Sequence, residues 1–285
     1  MFARADQLRI EQIEDDFKLH AVHYSWKGFE PRLTVFNLDD GQLSPLDLED
    51  LNFSVSKKRV CVGSWDEDDK YLPCPSGVPV IRFAQCAQCA EFAGPFPIQE
   101  CVFEPRCEGD QCDSPLCKRE HSVYIAFFGN KPKIGMTLKS RIKKRLIEQG
   151  ADAYCEVATF PSRKGARDQE KVIGQTLKIT ERPAVRTVLE SLSLPKKKNQ
   201  IEDGWKWISD SLEAGMQMTP GKLEFLDSYP LEEPLSEAPR YVESWGFHSG
   251  DFVGIKGKFL IFRKNHLSAL KLSDLPSRFL SRDLV

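Results

Sequence analysis

The chain has no apolar run long enough to cross a membrane. Its longest stretches are of the size of Val123-Tyr-Ile-Ala-Phe-Phe128, far short of the ~18 residues a spanning helix needs. Met1–Ile10 carries Arg4, Asp6 and Arg9 where a secretory signal would place its apolar segment, so the expectation is a cytoplasmic chain. Internal repeats and low-complexity tracts are absent as well. Histidine is scarce, with five in all. His20 and His23 lie three apart in a strand-like stretch and would point to opposite faces, so they read as packing or surface residues. Global disorder is excluded: 285 residues at 41% hydrophobic and 29% charged can bury a core, in one large domain or two to three small ones.

The net charge of −2 conceals an uneven distribution. Residues 1–70 hold 9 Lys/Arg against 15 Asp/Glu, a net of −6, whereas residues 130–200 hold 17 against 7, a net of +10. So basic a segment in an otherwise acidic chain is the electrostatic footprint of a polyanion site. The plainer alternative is a solvated helical face.

Eight of the nine cysteines fall between Cys61 and Cys117; Cys155 stands apart. In a reducing compartment such density reads as metal ligation, and the odd total cannot pair off completely. Cys86-Ala-Gln-Cys89 is followed after eleven intervening residues by Cys101 and, after five more, by Cys107. Two residues between thiolates let both reach one tetrahedral ion, so these four are the expected zinc ligands, in a closed structural site. Cys61 and Cys74 precede this group, and Cys112, Cys117 and His121 follow it. They read as a second site or as residues that swap into the first.

The expected fold class is α+β, in four parts: an N-terminal antiparallel β element over 1–60, a cysteine-rich zinc module over 61–121, an α/β domain over 122–240 and a C-terminal β meander over 241–285. In the third part the pattern predicts strands 122–128 and 133–136 joined through Gly129–Pro132, then a helix 138–149 closed by Gly150. A strand 154–160, helices 165–179 and 183–192 and a Lys-rich loop at 195–198 follow. Strands at 251–255, 259–262 and 270–272 form the tail. Period 2 sends Tyr124 and Ala126 to one face, and Gly135 permits close approach where the second strand ends. Helical phase groups Arg141, Lys144, Arg145 and Glu148 outward, with Leu138, Ile142 and Leu146 inward. In the next helix Ala166, Ile173 and Leu177 form an apolar row whose remaining position is Glu170, a carboxylate that needs a partner or a metal there. Trp205, Trp207, Phe225 and Trp245 are candidates for base stacking, though scattered aromatics are more often core.

Tyr124, the loop, Lys133-Ile-Gly135 with Thr137, a helix with Arg145 and a later helix with Glu170 resemble the GIY-YIG endonuclease superfamily, in particular its Lys-Ile-Gly branch. The resemblance implies that Tyr124 is the tyrosine of the first motif, Arg145 the catalytic arginine and Glu170 the ligand of Mg²⁺ or Mn²⁺. Lys133 stands where the pattern has its second tyrosine, which implies phosphate binding by a point charge in place of a proton acceptor. The spacing from Gly135 is two residues longer than in the pattern, so Arg141 is the alternative arginine. More widely the chain resembles domain-of-unknown-function family 2797, on Arg59-Val-Cys-Val-Gly63, Leu72-Pro-Cys-Pro75, Gln85-Cys-Ala-Gln-Cys89, His121-Ser-Val-Tyr124, Lys133-Ile-Gly135, Arg145-Leu-Ile-Glu-Gln-Gly-Ala151 and Val253-Gly-Ile-Lys-Gly257. The functional expectation is a nucleic-acid-binding zinc protein, DNA or RNA, with divalent-metal-dependent phosphodiesterase activity. The alternative is a non-catalytic zinc-containing adaptor that binds RNA or a protein.

Overall fold

A computed structural model describes residues 17–66, 68–93, 101, 104, 114–195 and 198–282. They form an α+β fold of helices and largely antiparallel sheets, the strands Arg240–Tyr241 and Leu267–Lys271 alone pairing in parallel. The first sheet begins with β1 (Leu19–Lys27), β2 (Glu30–Asn37), β3 (Leu43–Leu46) and β4 (Asn52–Arg59). It is completed by β12 (Gly246–Ser249) and β16 (Arg278–Ser281) from the other end of the chain, in the order β12-β4-β16-β1-β2-β3. Strands of the N-terminal and C-terminal parts, expected as separate elements, therefore share one sheet. Leu280 of β16 pairs with Leu19 on one side and Val55 on the other, and is fully buried. Such pairing is non-local, and the period of a four-residue strand carries no record of its neighbours.

The central sheet comprises β7 (His121–Phe128), β8 (Lys131–Leu138), β9 (Ala153–Phe160) and β10 (Glu224–Phe225), in the order β10-β9-β7-β8. The β7–β8 hairpin forms as expected but closes more tightly, through Gly129-Asn130, since Phe128 already pairs with Lys131. Pro132 thus lies inside β8, which is tolerated because β8 is an edge strand. Every residue of β7 is buried, because the sheet is covered on both faces. Val123, Ile125 and Phe127 pack against the helices α3 (Arg163–Leu177) and α5 (Lys198–Met216). Tyr124, Ala126 and Phe128 face a second core shared with α2 (Ile142–Gln149), Trp26 and Leu33 of the first sheet, and Ile255 and Leu260. A short helix α4 (Val185–Ser191) falls within the expected 183–192. Helix α5 occupies residues beyond the Lys-rich loop for which no helix was expected; Ile201, Ile208 and Leu212 are its buried row.

The third sheet holds β11 (Arg240–Tyr241), β13 (Asp251–Lys256), β14 (Phe259–Arg263) and β15 (Leu267–Lys271), ordered β11-β15-β14-β13. Helix α2 lies between this sheet, the first sheet and the central one. That position sets the site described next. Among the described residues no helix is long and apolar enough to cross a membrane.

Candidate metal centre and cationic cleft

A small hairpin of β5 (Ser64–Trp65) and β6 (Tyr71–Leu72) follows β4, and the short helix α1 (Ala87–Ala93) comes after it. Four cysteines converge here. Cys61 leaves β4, Cys74 follows β6, Cys86 precedes α1 and Cys89 lies in its first turn. Their sulfurs all lie within 4.8 Å of one another. A Zn–S distance near 2.3 Å requires sulfurs about 3.8 Å apart in a tetrahedron, so the donor set fits an ion such as zinc. The backbone is arranged for thiolates: the Cys86 N–H donates to Cys61 Sγ at 3.1 Å and the Gly63 N–H to the same sulfur at 3.4 Å. Burial pushes the Cys61 thiol up to about 11 and also raises Cys89. Burial acts on Cys74 too, yet amides of Ser76 and Val78 donate to its sulfur and bring it below the ordinary thiol value. Deprotonating the buried pair needs a cation in the cage, which a metal supplies. Gly63 is obligatory here. Its φ is +78°, and a Cβ would lie 2.2 Å from the Leu72 carbonyl oxygen.

The clustered thiols differ from the expected ligand set in their second pair. Cys86 and Cys89 are joined by Cys61 and Cys74, and Cys101 is not among the clustered thiols. Cys107 and Cys112 lie outside the described residues. Spacing favoured Cys101 and Cys107 as the second pair, with Cys61 and Cys74 as a second site or as residues that swap into the first; the β5–β6 hairpin returns Cys74 to Cys61. Cys101 and Cys117 are buried elsewhere. His121 begins β7, buried, with Nδ1 2.8 Å from the Arg119 carbonyl oxygen, and burial lowers its pKa.

The second cluster sits where β7, β8 and α2 meet. Tyr124 is 1% exposed. Its phenol oxygen accepts from Lys133 Nζ at 3.1 Å and Gln149 Nε2 at 3.1 Å, while Lys133 also donates to Gln149 Oε1 at 2.8 Å. The triangle exists because residue 135 is glycine: a Cβ there would lie 2.5 Å from the Tyr124 hydroxyl and 2.9 Å from Lys133 Nζ. Lys133, Gln149 and Arg145 line a cavity of about 330 Å³, with Arg182, Lys258 and Lys271 on its other walls. Arg141 is not among the lining residues; it and Arg145 share Glu148, at 3.7 and 3.9 Å. Gln149, Lys258 and Lys271 went unnoticed in the sequence. For Gln149 a signal existed, since it follows Arg145 by one helical turn.

Glu170 is buried as its phase predicted, and α3 turns it towards Arg167, whose Nη1 lies 2.7 Å from Oε2. Burial raises its pKa against the pull of Arg167 and of the nearby Lys133. Arg167 also holds Glu181 at 2.9 Å and Glu104 at 3.0 Å. Among the described residues Oε1 of Glu170 accepts no hydrogen bond. The stacking candidates divide: Trp207 and Trp245 are exposed, whereas Trp205 and Phe225 pack on the core.

A buried ion cluster also escaped the sequence reading. Lys256 Nζ lies 2.6 Å from Asp152 Oδ1 and 2.7 Å from Glu233 Oε1, and all three side chains are nearly inaccessible. Asp152 Oδ2 accepts from the Gly129 N–H at 2.7 Å. The cluster thereby ties the third sheet to the β7–β8 turn.

No curated protein and no solved structure matches this sequence. The signature described as "Protein of unknown function (DUF2797)" matches residues 49–274, which takes in the four clustered cysteines, β7 to α5, Lys258 and Lys271. On that match, which covers most of the sequence, the chain belongs to the DUF2797 family.

Proposed function

We propose that this chain is a nucleic-acid-binding protein, stapled by one structural zinc ion, whose central domain receives phosphate in the cationic cleft. The observation that carries the reading is the meeting of Lys133, Arg145 and Lys258 on one cavity, with the Tyr124 phenol bonded directly behind Lys133. The zinc is assigned to Cys61, Cys74, Cys86 and Cys89, on the fit of four sulfurs to a tetrahedral ion. It closes the loop between the first sheet and the central one and performs no chemistry.

Phosphodiester hydrolysis by a GIY-YIG-like core would draw on Arg145 in the cleft and on Glu170, which does not line it but shares Arg167 with the lining residue Glu181. Glu170, with Oε1 uncommitted, would hold Mg²⁺ or Mn²⁺, which when bound neutralises charge on a phosphoryl oxygen. Arg145 would stabilise charge growing on that phosphate. Lys133 and Gln149 fix the orientation of Tyr124, and Lys133 adds a point charge. The adaptor reading draws its support from two contacts: Tyr124 is sealed from solvent, and Arg167 already occupies Glu170.

Incubation of the full chain with labelled single- and double-stranded DNA and RNA, with and without Mg²⁺ or Mn²⁺, separates these readings. Cleavage that needs the divalent ion and disappears in Glu170→Gln supports the nuclease. Binding without cleavage, unaffected by Glu170→Gln, supports the adaptor. Failure to bind any of the four nucleic acids refutes the proposal.

A further inference from the structure

The cleft differs from an open groove in how it is walled. Phe128 and Lys133 come from the central sheet, Arg145 and Gln149 from α2, Arg182 from the segment before α4, and Lys258 and Lys271 from the third sheet. The last two emerge together, because Phe259 pairs with Lys271 and the Leu272 N–H donates to the Lys258 carbonyl at 2.8 Å. The volume of about 330 Å³ lies at the small end for ligand pockets. The pocket is partly enclosed, with walls from four elements, and a strand end can enter it without chain having to pass on beyond those walls.

The charge is compensated only in part. Lys258 and the Arg182 guanidinium make no ion pair among the described residues, and Lys133 is held only by the neutral Tyr124 and Gln149. Lys271 holds Asp274 at 2.8 Å, and Arg145 shares Glu148 with Arg141. Glu181 is the one acidic residue of the lining, and Arg167 takes it at 2.9 Å. The crowding is felt at Lys258: burial, followed by the charges of Arg145, Lys271 and Lys133, brings its ammonium down to about 8. Asp274 opposes that shift. A dianion relieves such a cluster better than a monoanion. An internal phosphodiester carries one charge, and a terminal phosphomonoester about −1.5 to −2 at neutral pH.

We infer that the cleft is a pocket for a terminal phosphomonoester of a nucleic-acid strand, and that Lys258 and Lys271 of the third sheet select it. The inference rests on the reading of the cleft as a nucleic-acid phosphate site and narrows the ligand to a strand end.

The test is the affinity of the full, zinc-loaded chain for a short single-stranded oligonucleotide with a 5′-phosphate, with a 3′-phosphate or with hydroxyls at both ends, without added divalent ion. One phosphorylated form should bind at least tenfold tighter than the hydroxyl-ended strand. In Lys258→Met and Lys271→Met that ratio should fall towards one within each variant, and Lys258→Arg should retain it. Equal affinity for all three strands overturns the terminal-phosphate assignment while leaving nucleic-acid binding in place. Absence of binding by all three overturns both. A ratio unchanged in both methionine variants, each shown by thermal melting to be folded, overturns the role of the two lysines.

Discussion

Gly257 meets Gly150 backbone to backbone. A Cβ on Gly257 would lie 2.3 Å from the Gly150 amide nitrogen and 2.5 Å from the Gln149 carbonyl carbon. Gly150 ends α2 in the left-handed region at φ +81° and its N–H caps the Leu146 and Ile147 carbonyls, while Gly257 turns β13 into β14 at φ +56°. The Gly257 carbonyl in turn accepts from the Tyr24 hydroxyl at 2.7 Å and the Trp26 indole at 3.0 Å. One turn thus joins the first sheet, α2 and the third sheet, and it sets where Lys258 stands against Gln149.

Gly257→Ala should therefore destabilise by at least about 3 kcal/mol, through backbone collision added to left-handed strain. Gly41→Ala, also at positive φ (+70°) but with nothing within 4 Å of the added Cβ, should cost only about 1–2 kcal/mol. Denaturant melts of the two variants check the difference; equal losses would mean that contact with Gly150 is unimportant.

Purified protein should carry tightly held zinc, and chelation should unfold it cooperatively. Cys61→Ser and Cys74→Ser should lose zinc, and Cys101→Ser should retain it. Elemental analysis decides, and retention of zinc by Cys74→Ser would redraw the ligand set.

Polyanion binding should weaken steeply with salt, each phosphate contact adding about −0.9 to the log–log slope on duplex DNA. Lys143 and Lys144, both exposed on the outer side of α2, should contribute when replaced together by Glu, with loss of affinity and a shallower slope. An unchanged slope would put the contact surface elsewhere.

Acid should weaken the first sheet. His248 packs near Phe53 and Phe262, and burial brings it down to about 4; His20, stacked on Phe279 at 4.6 Å, is lowered to about 4 as well. A histidine depressed in the folded state takes up its proton more readily when unfolded, so stability falls as pH drops from the unfolded value near 6.5 to about 4 and levels off below. Each residue contributes on the order of 3 kcal/mol to this fall. His248→Phe should make stability less steeply dependent on pH over that window, measured by urea melts; an unchanged slope would mean that His248 does not contribute.

Lys256→Met should be among the costliest substitutions, about 3–5 kcal/mol, because it leaves Asp152 and Glu233 as buried carboxylates without their cation. Lowering the pH should rescue this variant relative to the parent, since protonation of the two acids removes the buried negative charge that Lys256 had balanced. A thermal melt at pH 5 and pH 8 reads the difference.

Short-range order was legible in the sequence. The β7–β8 hairpin, the end of α2 at Gly150 and the burial of Glu170 all follow from periods of 2 and 3.6 read over a dozen residues. Metal ligation by Cys86 and Cys89 was legible as a candidate for the same reason, since two intervening residues suffice to bring thiols together. What depended on distant pairing was not legible. Cys61 and Cys74 join the cluster only because a hairpin folds back, and β16 finds its place between β1 and β4 more than two hundred residues away. Lys258 and Lys271 read as ordinary polar residues of a meander. The contact of Gly257 with Gly150 helps bring them to a cleft of whose other cations Lys133 and Arg145 were visible from the start and Arg182 was not. The backbone encodes its local geometry in side-chain period, whereas the charge of a pocket depends on which surfaces the packed core presses together.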